Sequence, residues 1–437
     1  MKVALINSRQ DMAGKNIRHY IEQCLSERAG ASDGKGRTYE FFDVEGRLIH
    51  AENVDAGIDA DLVIFLSRHS SVNPVPILTV HVTGNFSEAA LGGTARTLAP
   101  AAPVMMQATL RALARHCPEG YRVSYEVTHH GPTGLCHPSF FVEIGSTEKE
   151  WSDPAAGRAV AEAVLGATLA EGVPLIGFGG THYAARETEI ALSSRGAFGH
   201  IAHTREIATI DEAMVRSMVE KTGAVAAYID RKALDHAAFA RLAGILDAVS
   251  LMRLSESEIA AMGHLPWESY RAVREIAGQV SPGARCYVHA LSGDGAPVTV
   301  NINPDLVAFT VKSDEPAFIR GLCDLPVVHI SSNENRLLPV FVTYSQYSSQ
   351  IINALNTLCV KIIRSKEITA TEKDFLIIHK VRFDPQKARD LGITAGPAYK
   401  QLAAGQPVEI NGQVITPAMV ASERDSKIHI PGLENYT

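Results

Sequence analysis

The stretch of this sequence best suited to chemistry is a loop that carries His129, His130 and His137 between two apolar runs. Crowded imidazoles are uncommon, because each ring needs a hydrogen-bond partner and each can take up a proton near neutral pH. Neutral imidazoles are also frequent ligands of transition metals. The loop therefore predicts a polar site, with a metal ion as one candidate occupant.

Further histidines fall where predicted strands end. They lie in "FLSRHSS" (His69), "LTVHVTGN" (His81), "GFGGTHY" (His182) and "GHIAH" (His200 and His203). Ligands of open α/β sheets bind outside the carboxyl ends of the strands, where loops distant in sequence meet. Glu126 and Glu143, within or at the end of their own strands, could supply carboxylates to such a site. A satisfied core histidine is an equally good interpretation of His81, because valines flank it.

Strand and helix signals alternate over the first two-thirds of the chain. Short apolar runs such as "DADLVIFLS", "ILTVHVTG" and "VPLIGFGG" are typical of strands buried inside a sheet. Between such runs lie helical stretches, one capped by Asp153 with Pro154 at its first position and another closed by Gly223. The alternation predicts an α/β fold whose sheet is at least partly parallel.

The composition changes near residue 281, beyond which the chain reads mainly as strands with few good helices. We therefore expect a first domain of residues 1–280 and a smaller, β-rich C-terminal region, 281–437, of unknown role. Each histidine of that region (His289, His329, His379 and His429) sits singly in an apolar or β-type run. Such positions are typical of core or surface histidines rather than of ligands.

Composition excludes several classes of protein. The formal net charge of −7 argues against a general nucleic-acid or DNA binder, and no apolar run is long enough to span a membrane. Six scattered cysteines without a Cys-x-x-Cys pair indicate a reduced, cytoplasmic protein, and we expect a monomer. Nucleotide-binding glycine motifs and the Gly-x-Ser-x-Gly elbow of serine hydrolases are absent.

Six stretches, in order, resemble the archaeal and plant type of D-aminoacyl-tRNA deacylase, also called D-tyrosyl-tRNA deacylase. They are "ADLVIFLSRHSS", "LTVHVTGN", "EVTHHGPT", "FVEIGS", "GFGGTHY" and "GHI", and they leave the region after residue 281 as an extension. The resemblance implies a three-layer α/β domain with a mixed sheet, similar to peptidyl-tRNA hydrolase and purine nucleoside phosphorylase. It also implies a zinc-dependent cytoplasmic hydrolase that frees D-amino acids, such as D-tyrosine, from tRNA.

The resemblance also suggests which residues carry out the reaction. Ester cleavage needs a positioned water, a base and stabilisation of the oxyanion, and zinc can supply the first and the last. We expect His129 and His130, together with His81 or His182, to bind zinc, and Glu126 or Glu143 to orient a histidine or act as the base. The candidates for holding the substrate are Thr83, Asn85, Thr133, Ser146, Thr181 and Arg68.

Binding to tRNA needs local positive charge despite the acidic total. The candidate cations are Arg9, Lys15, Arg18, Arg68, Arg96, Arg186, Arg195 and Arg205, and the alternative is that they are scattered, solvated charges. Two other functions stay open. One is a metal-free esterase like peptidyl-tRNA hydrolase, which the number of histidines disfavours, and the other is a non-catalytic tRNA-binding adaptor.

Overall fold

The computed structural model describes residues 1–27, 36–410 and 412–436. The chain divides into two compact units, Met1–Ala261 and Met262–Thr437. This division precedes residue 281 because the helix Trp267–Val280 packs against the strands Arg285–Val288 and Pro297–Asn301. Whether the catalytic region ends at residue 280 stays a prediction. None of the helices in the described residues is both long and apolar enough to cross a membrane.

The first unit contains two main sheets and a two-stranded ribbon. Its strands are β1 (Lys2–Ser8), β2 (Thr38–Val44), β3 (Leu62–Ser70), β4 (Ile77–His81), β5 (Gly84–Asn85), β6 (Thr97–Leu98), β7 (Arg122–Tyr125), β8 (Ser139–Ser146), β9 (Val173–Phe178), β10 (Gly196–Ala202), β11 (Ala226–Ile229) and β12 (Met252–Leu254). Its helices are α1 (Met12–Glu27), α2 (Pro103–His116), α3 (Glu148–Trp151), α4 (Pro154–Gly166), α5 (Ala185–Ser193), α6 (Glu212–Thr222), α7 (His236–Ala248) and α8 (Glu256–Ala261).

The larger sheet has the strand order β2-β1-β3-β8-β4-β7 and is mixed. Strands β2, β1, β3 and β8 are parallel, β4 runs antiparallel to β8, and β7 is parallel to β4. The second sheet, β10-β9-β11-β12, is entirely parallel. The predicted α/β class with a partly parallel sheet is confirmed.

Local sequence signals set the ends of two helices as predicted. The Asp153 side chain accepts a hydrogen bond from the Ala155 N–H, and Pro154 opens α4. Gly223, with φ of 65°, closes α6 in the left-handed conformation that glycine adopts at little cost. Both helices pack in the first unit, where buried strands such as β4 require apolar cover.

The strand order of the larger sheet changes direction at β1. From β1 the chain passes to β2 on one side and then crosses to β3 on the other. The loops after β1 and β3 therefore diverge, which leaves a crevice at the carboxyl ends of these two strands. Crevices of this kind are the usual ligand sites of open α/β sheets.

The second unit corrects the prediction of few helices. It contains α9 (Trp267–Val280), α10 (Pro304–Leu322), α11 (Ser348–Lys366), α12 (Pro385–Asp390) and α13 (Pro397–Ala403). Its strands are β13 (Arg285–Val288), β14 (Pro297–Asn301), β15 (Val328–Ser331), β16 (Leu337–Tyr344), β17 (Ile368–Glu372), β18 (Phe375–Phe383), β19 (Val408–Ile410), β20 (Gln413–Ile415) and β21 (Ala421–His429). The residues of α11 favour strands by type, but Ile351, Leu355 and Cys359 recur at helical spacing and are buried.

Two histidines of the second unit, single in their own sequence runs, lie beside each other across a strand pair, and a third pairs with a carboxylate; that they are core or surface histidines stays a prediction. Strand β13 pairs with β15, and this brings His289 Nε2 to 2.8 Å from His329 Nδ1. His379 Nδ1 lies 2.8 Å from the Asp425 carboxylate across β18 and β21. Cross-strand neighbours of this kind follow from strand pairing, which the sequence does not show.

Helix α5 carries a buried carboxylic acid, Glu187, whose stem lies against Gly177 of β9. In the described residues neither oxygen of Glu187 has a hydrogen-bond partner. Burial raises the pKa of Glu187 to about 8, and the charge of Asp230 adds to the shift. The folded protein therefore holds a proton on this group at pH values where the unfolded chain has lost it.

We expect Glu187→Gln to remove a pH-dependent loss of stability. Between a pKa of about 4.5 in the unfolded chain and about 8 in the folded protein, the stability of the wild type should fall as pH rises, by on the order of 4 kcal/mol. Chemical unfolding of both proteins between pH 5 and 9 measures this difference. The control is Glu189→Gln, on the same helix but exposed. Parallel pH profiles for wild type and Glu187→Gln would contradict the assignment.

Candidate functional site

The predicted histidines gather on one face of the mixed sheet. In register, His69 of β3 lies opposite Gly145 of β8, and His81 of β4 lies opposite Phe141. Because side chains alternate along a strand, Glu143 projects on the same face as Phe141 and Gly145. A Cβ at Gly145 would lie 2.7 Å from the His69 ring, so only glycine leaves room for it. The histidines therefore share one face of the sheet. They do not all lie at the carboxyl ends of parallel strands, because β4 runs antiparallel to β8.

The centre of the cluster is the buried carboxylate of Glu126, directly after β7. Three imidazole nitrogens lie near its oxygens: His69 Nδ1 at 2.9 Å, His182 Nε2 at 3.0 Å and His129 Nε2 at 3.4 Å. The histidines come from the end of β3 and from the loops after β7 and β9. One carboxylate therefore holds three separate segments of the chain together.

Three imidazoles form the second half of the cluster. The centroid of the His81 ring lies 4.5 Å from that of His129 and 4.9 Å from that of His130, and the latter two are 4.4 Å apart. His129 Nδ1 lies 2.7 Å from the Val127 carbonyl, and His130 Nδ1 lies 2.6 Å from the Gly131 carbonyl. These contacts orient both rings and leave their Nε2 atoms for other partners.

Burial sets the charge state of these groups. It lowers the pKa of His129 to about 3 and holds the pKa of His130 well below its usual value, and the neighbouring imidazoles act in the same direction. Burial also works to raise the pKa of Glu126, but the close imidazoles of His182 and His69 outweigh it and keep that pKa well below its usual range. The site thus combines an ionised carboxylate with two neutral imidazoles.

The donor set fits a transition-metal ion. Three groups have ligand atoms within 4.8 Å of one another: His81, His129 and His130; His69, Glu126 and His182; and His81, Glu126 and Glu143. The buried Nε2 of His81 forms no hydrogen bond in the described residues, and the nearest carboxylate, that of Glu143, is 3.6 Å away. Neutral imidazoles beside carboxylates are the usual ligands of zinc.

The structure brings together all six residues predicted for catalysis and metal binding: His81, His129, His130, His182, Glu126 and Glu143. Two further members were not assigned a role from the sequence. His69 had been noted only as a strand-end histidine, and the Tyr183 hydroxyl lies 3.0 Å from its Nε2. In the sequence, only its position at the end of a predicted strand indicates a role for His69. Nothing indicates a role for Tyr183 except that it follows His182.

Other histidines that the sequence singled out lie outside the cluster. His137 pairs with Asp55 at 2.9 Å, and His200 is buried with its Nε2 2.9 Å from the Ala99 carbonyl. His203 Nδ1 accepts a hydrogen bond from the Arg205 N–H and caps a short turn. Each of these rings has a structural partner.

Four of the predicted substrate-binding side chains hold loops in place. Thr83 Oγ1 donates to the Pro132 carbonyl at 2.5 Å, and Asn85 Nδ2 donates to the Gly92 carbonyl at 2.9 Å. Thr133 Oγ1 accepts from the Thr94 N–H at 2.9 Å, and Ser146 Oγ donates to the Val75 carbonyl at 2.8 Å. The exposed Thr181 donates to the Tyr183 carbonyl at 3.3 Å. These contacts favour a role in shaping the site.

A cavity of about 200 Å³ opens beside the cluster at the crevice between the ends of β1 and β3. Its walls differ in chemistry: histidines with Glu143, a polar turn after β1, an apolar segment and two arginines. The lining residues are Ser8, Gln10, Asp11, Arg47, Leu48, Ile49, Ser67, Arg68, His69, Ser70, Leu91, His129, His130, Glu143 and His182.

Most of the predicted tRNA-binding cations form ion pairs. The paired ones, with their partners, are Arg9 with Glu45, Arg18 with Glu22 and Asp43, Arg96 with Asp211, Arg186 with Glu189, and Arg195 with Glu171. By contrast, Arg47 and Arg68 line the cavity and pair with no carboxylate in the described part of the chain. The Arg68 guanidinium instead lies over the Trp151 ring, 5.2 Å from its centroid.

Comparison with known proteins points to one family. A family model described as D-aminoacyl-tRNA deacylase matches residues 56–253. A relative from Methanoregula boonei, named D-aminoacyl-tRNA deacylase, is 65% identical over 100% of both chains. A relative of the same name from Methanosarcina mazei is 39% identical, but it matches only 59% of this chain while 93% of its own length is covered.

A solved structure also resembles this chain. It is a crystal structure of a conserved protein of unknown function, 32% identical, with a TM-score of 0.55. The match covers 60% of this chain and 96% of that chain. Both this structure and the Methanosarcina mazei protein match about as much of the chain, 60% and 59%, as the first unit, Met1–Ala261, occupies.

We expect the cluster to bind zinc through His129 and His130. Replacing either histidine with alanine should lower zinc affinity by roughly a hundredfold, because one ligand and the order of its neighbour are lost. Metal content after dialysis measures this effect, and circular dichroism checks the fold. The control is His116→Gln, a half-exposed histidine paired with Glu162. Unchanged zinc affinity in both alanine variants would contradict the ligand assignment.

Proposed function

Because this chain belongs to the D-aminoacyl-tRNA deacylase family, hydrolases that act on ester bonds, we propose that its cluster cleaves D-aminoacyl-tRNA into a D-amino acid and tRNA with the help of zinc. The observation that carries the proposal is the cavity beside the cluster, which combines neutral imidazoles, a carboxylate and unpaired arginines. A non-catalytic adaptor would not need this combination.

The two carboxylates have different roles in this proposal. Glu126 is fully buried, does not line the cavity and contacts three imidazoles, so it orients the histidines. Glu143 lines the cavity and lies 3.6 Å from His81 Nε2, so it is placed to take a proton from the attacking water. It then returns that proton to the ribose oxygen that leaves. The hydroxyl of Tyr183 fixes the His69 ring from the other side.

His81, His129 and His130 would hold zinc, since their ligand atoms converge and two of the rings are neutral. When bound, zinc supplies a Lewis acid for the ester carbonyl and lowers the pKa of a water to about 7. Their backbone contacts keep the rings of His129 and His130 in fixed orientations. Preset ligands avoid the ordering cost that flexible side chains would add.

The remaining properties are proposals of the same kind. A three-layer domain like that of peptidyl-tRNA hydrolase and purine nucleoside phosphorylase agrees with the mixed sheet of the first unit. Action in the cytoplasm agrees with the six cysteines, which are scattered along the chain without a Cys-x-x-Cys pair. We further propose that the protein acts as a monomer, which sedimentation of the purified protein tests.

We expect the protein to hydrolyse D-tyrosyl-tRNA much faster than L-tyrosyl-tRNA, and to lose this activity when a chelator removes zinc. Both substrates share the tRNA, so the difference must arise in the cavity around the amino acid. Release of labelled tyrosine measures both rates, and added zinc should restore the activity. Equal rates on the two stereoisomers would refute the chiral part, and full activity without zinc would refute the role of the metal.

We expect Arg47 and Arg68 to bind phosphates of the tRNA. Replacing either with glutamine should weaken tRNA binding and lower the salt dependence of the affinity by about one phosphate contact. Titrations of tRNA at several salt concentrations measure the slope. The control is Arg9→Gln, because Arg9 is paired with Glu45 at 2.6 Å. If Arg9→Gln and Arg47→Gln change the slope equally, the assignment fails.

We expect the first unit to contain the whole catalytic machinery, so a chain ending at Val280 should retain deacylase activity. All cluster and cavity residues precede residue 262. Helix α9 buries Tyr270, Val273 and Ala277, so a chain ending at Val280 exposes this apolar surface. A chain ending at Ala261, which lacks the helix, is the matched alternative. A truncated chain that is folded and retains zinc but is inactive would place an essential group after the cut.

A further inference from the structure

We propose that the cavity distinguishes the mirror images of the amino acid by binding three substituents of its Cα on three different walls. Asp11 binds the α-amino group, Leu48, Ile49 and Leu91 hold the side chain, and the histidine cluster faces the ester. This inference rests on the proposed function and names the residues that would give it stereospecificity.

The polar wall is the turn between β1 and α1. Asp11 there is 7% exposed and lines the cavity. Its oxygens accept hydrogen bonds from the N–H groups of Gly14 at 2.9 Å and Arg68 at 3.1 Å. A carboxylate has about four acceptor sites, so two remain for a ligand.

The charge of Asp11 lacks an ion-pair partner within the described residues. The guanidinium of Arg68 acts on it only from a distance, and the backbone N–H groups are its direct contacts. Buried charges are usually paired, because desolvation is costly. Burial raises the pKa of Asp11 despite these hydrogen bonds, so a cation bound in the cavity would stabilise the ionised form. The α-ammonium group of an aminoacyl ester is such a cation.

The apolar wall stands apart from this turn in sequence. Leu48 is buried, Ile49 is half-buried, and Leu91 is 53% exposed at the cavity. Apolar side chains of this size suit an amino-acid side chain such as that of tyrosine. None of the three offers a partner for an ammonium group, and the polar turn offers little apolar surface.

Three different walls are sufficient for stereospecificity. If the ester carbonyl faces the histidines and the ammonium group faces Asp11, only one enantiomer places its side chain on the apolar wall. The other enantiomer must give up one of the three contacts or move its carbonyl away from the attacking group. Small displacements of a reacting atom are costly for the rate.

The test compares Asp11→Asn with wild type on D-tyrosyl-tRNA and on N-acetyl-D-tyrosyl-tRNA, which lacks the ammonium charge. Asparagine can still cap α1, so the fold should be kept. We expect kcat/KM to fall about ten- to hundredfold on D-tyrosyl-tRNA, the range for a hydrogen bond to a charged group, and to change little on the acetylated substrate. Asp235→Asn, which alters the cap of α7 instead, is the matched control and should leave both rates unchanged.

The outcomes separate this inference from the proposed function. Equal losses of Asp11→Asn on both substrates would show a structural role and overturn the inference, as would no loss on either. A wild-type protein inert on both esters would overturn the proposed function as well. Active wild type with an unaffected variant would overturn this inference and leave the proposed function standing.

The apolar wall has its own test. Leu91→Ala should raise the KM for D-tyrosyl-tRNA several-fold and the KM for D-alanyl-tRNA much less, because only the larger side chain reaches the apolar wall. The control is Leu169→Ala, since Leu169 is 54% exposed but does not line the cavity. Equal effects of Leu91→Ala on both substrates, or no effect on either, would overturn the assignment of this wall.

Discussion

The site depends on one buried carboxylate. An isolated charge at the position of Glu126 would be strongly unfavourable, because the side chain is removed from water. It is stabilised by imidazoles from three segments that end β3 or follow β7 and β9. The segments belong to both sheets of the first unit, so this contact requires the ends of those strands to lie close together. Without Glu126, all three segments would lose their common partner.

Two neighbouring environments divide the histidines by role. His69 and His182 lie 2.9 and 3.0 Å from the Glu126 oxygens, closer than His129 at 3.4 Å. His129 and His130 are instead held by backbone carbonyls, and burial keeps them neutral. Metal binding needs neutral rings with free nitrogens, so the second pair suits it better. The histidine-rich loop of the sequence therefore serves two purposes within one cluster.

The sequence predicted the members of this cluster better than their geometry. Strand-end histidines were recognisable because buried apolar runs precede them, but His69 joined the cluster only through the register of β3 with β8. That Thr83 and Asn85 bind substrate stays a prediction, and the structure adds that their side chains form hydrogen bonds with the loops around them. Contacts between segments that are distant in the sequence decide which polar side chains are available to a ligand.

Catalysis and stereospecificity require different parts of the cavity. In the proposed reaction a base, a water and a Lewis acid act on the ester group, which is the same in both enantiomers, so the cluster alone gives no preference between them. The phosphate contacts proposed for Arg47 and Arg68, which line the cavity, would give none either, because the tRNA is common to both. The preference must come from groups that contact the other substituents of Cα. In this cavity those are the turn after β1, which carries Asp11, and the apolar segment around Leu48. Neither was a substrate-binding candidate from the sequence, because only the folded chain brings them beside the histidines.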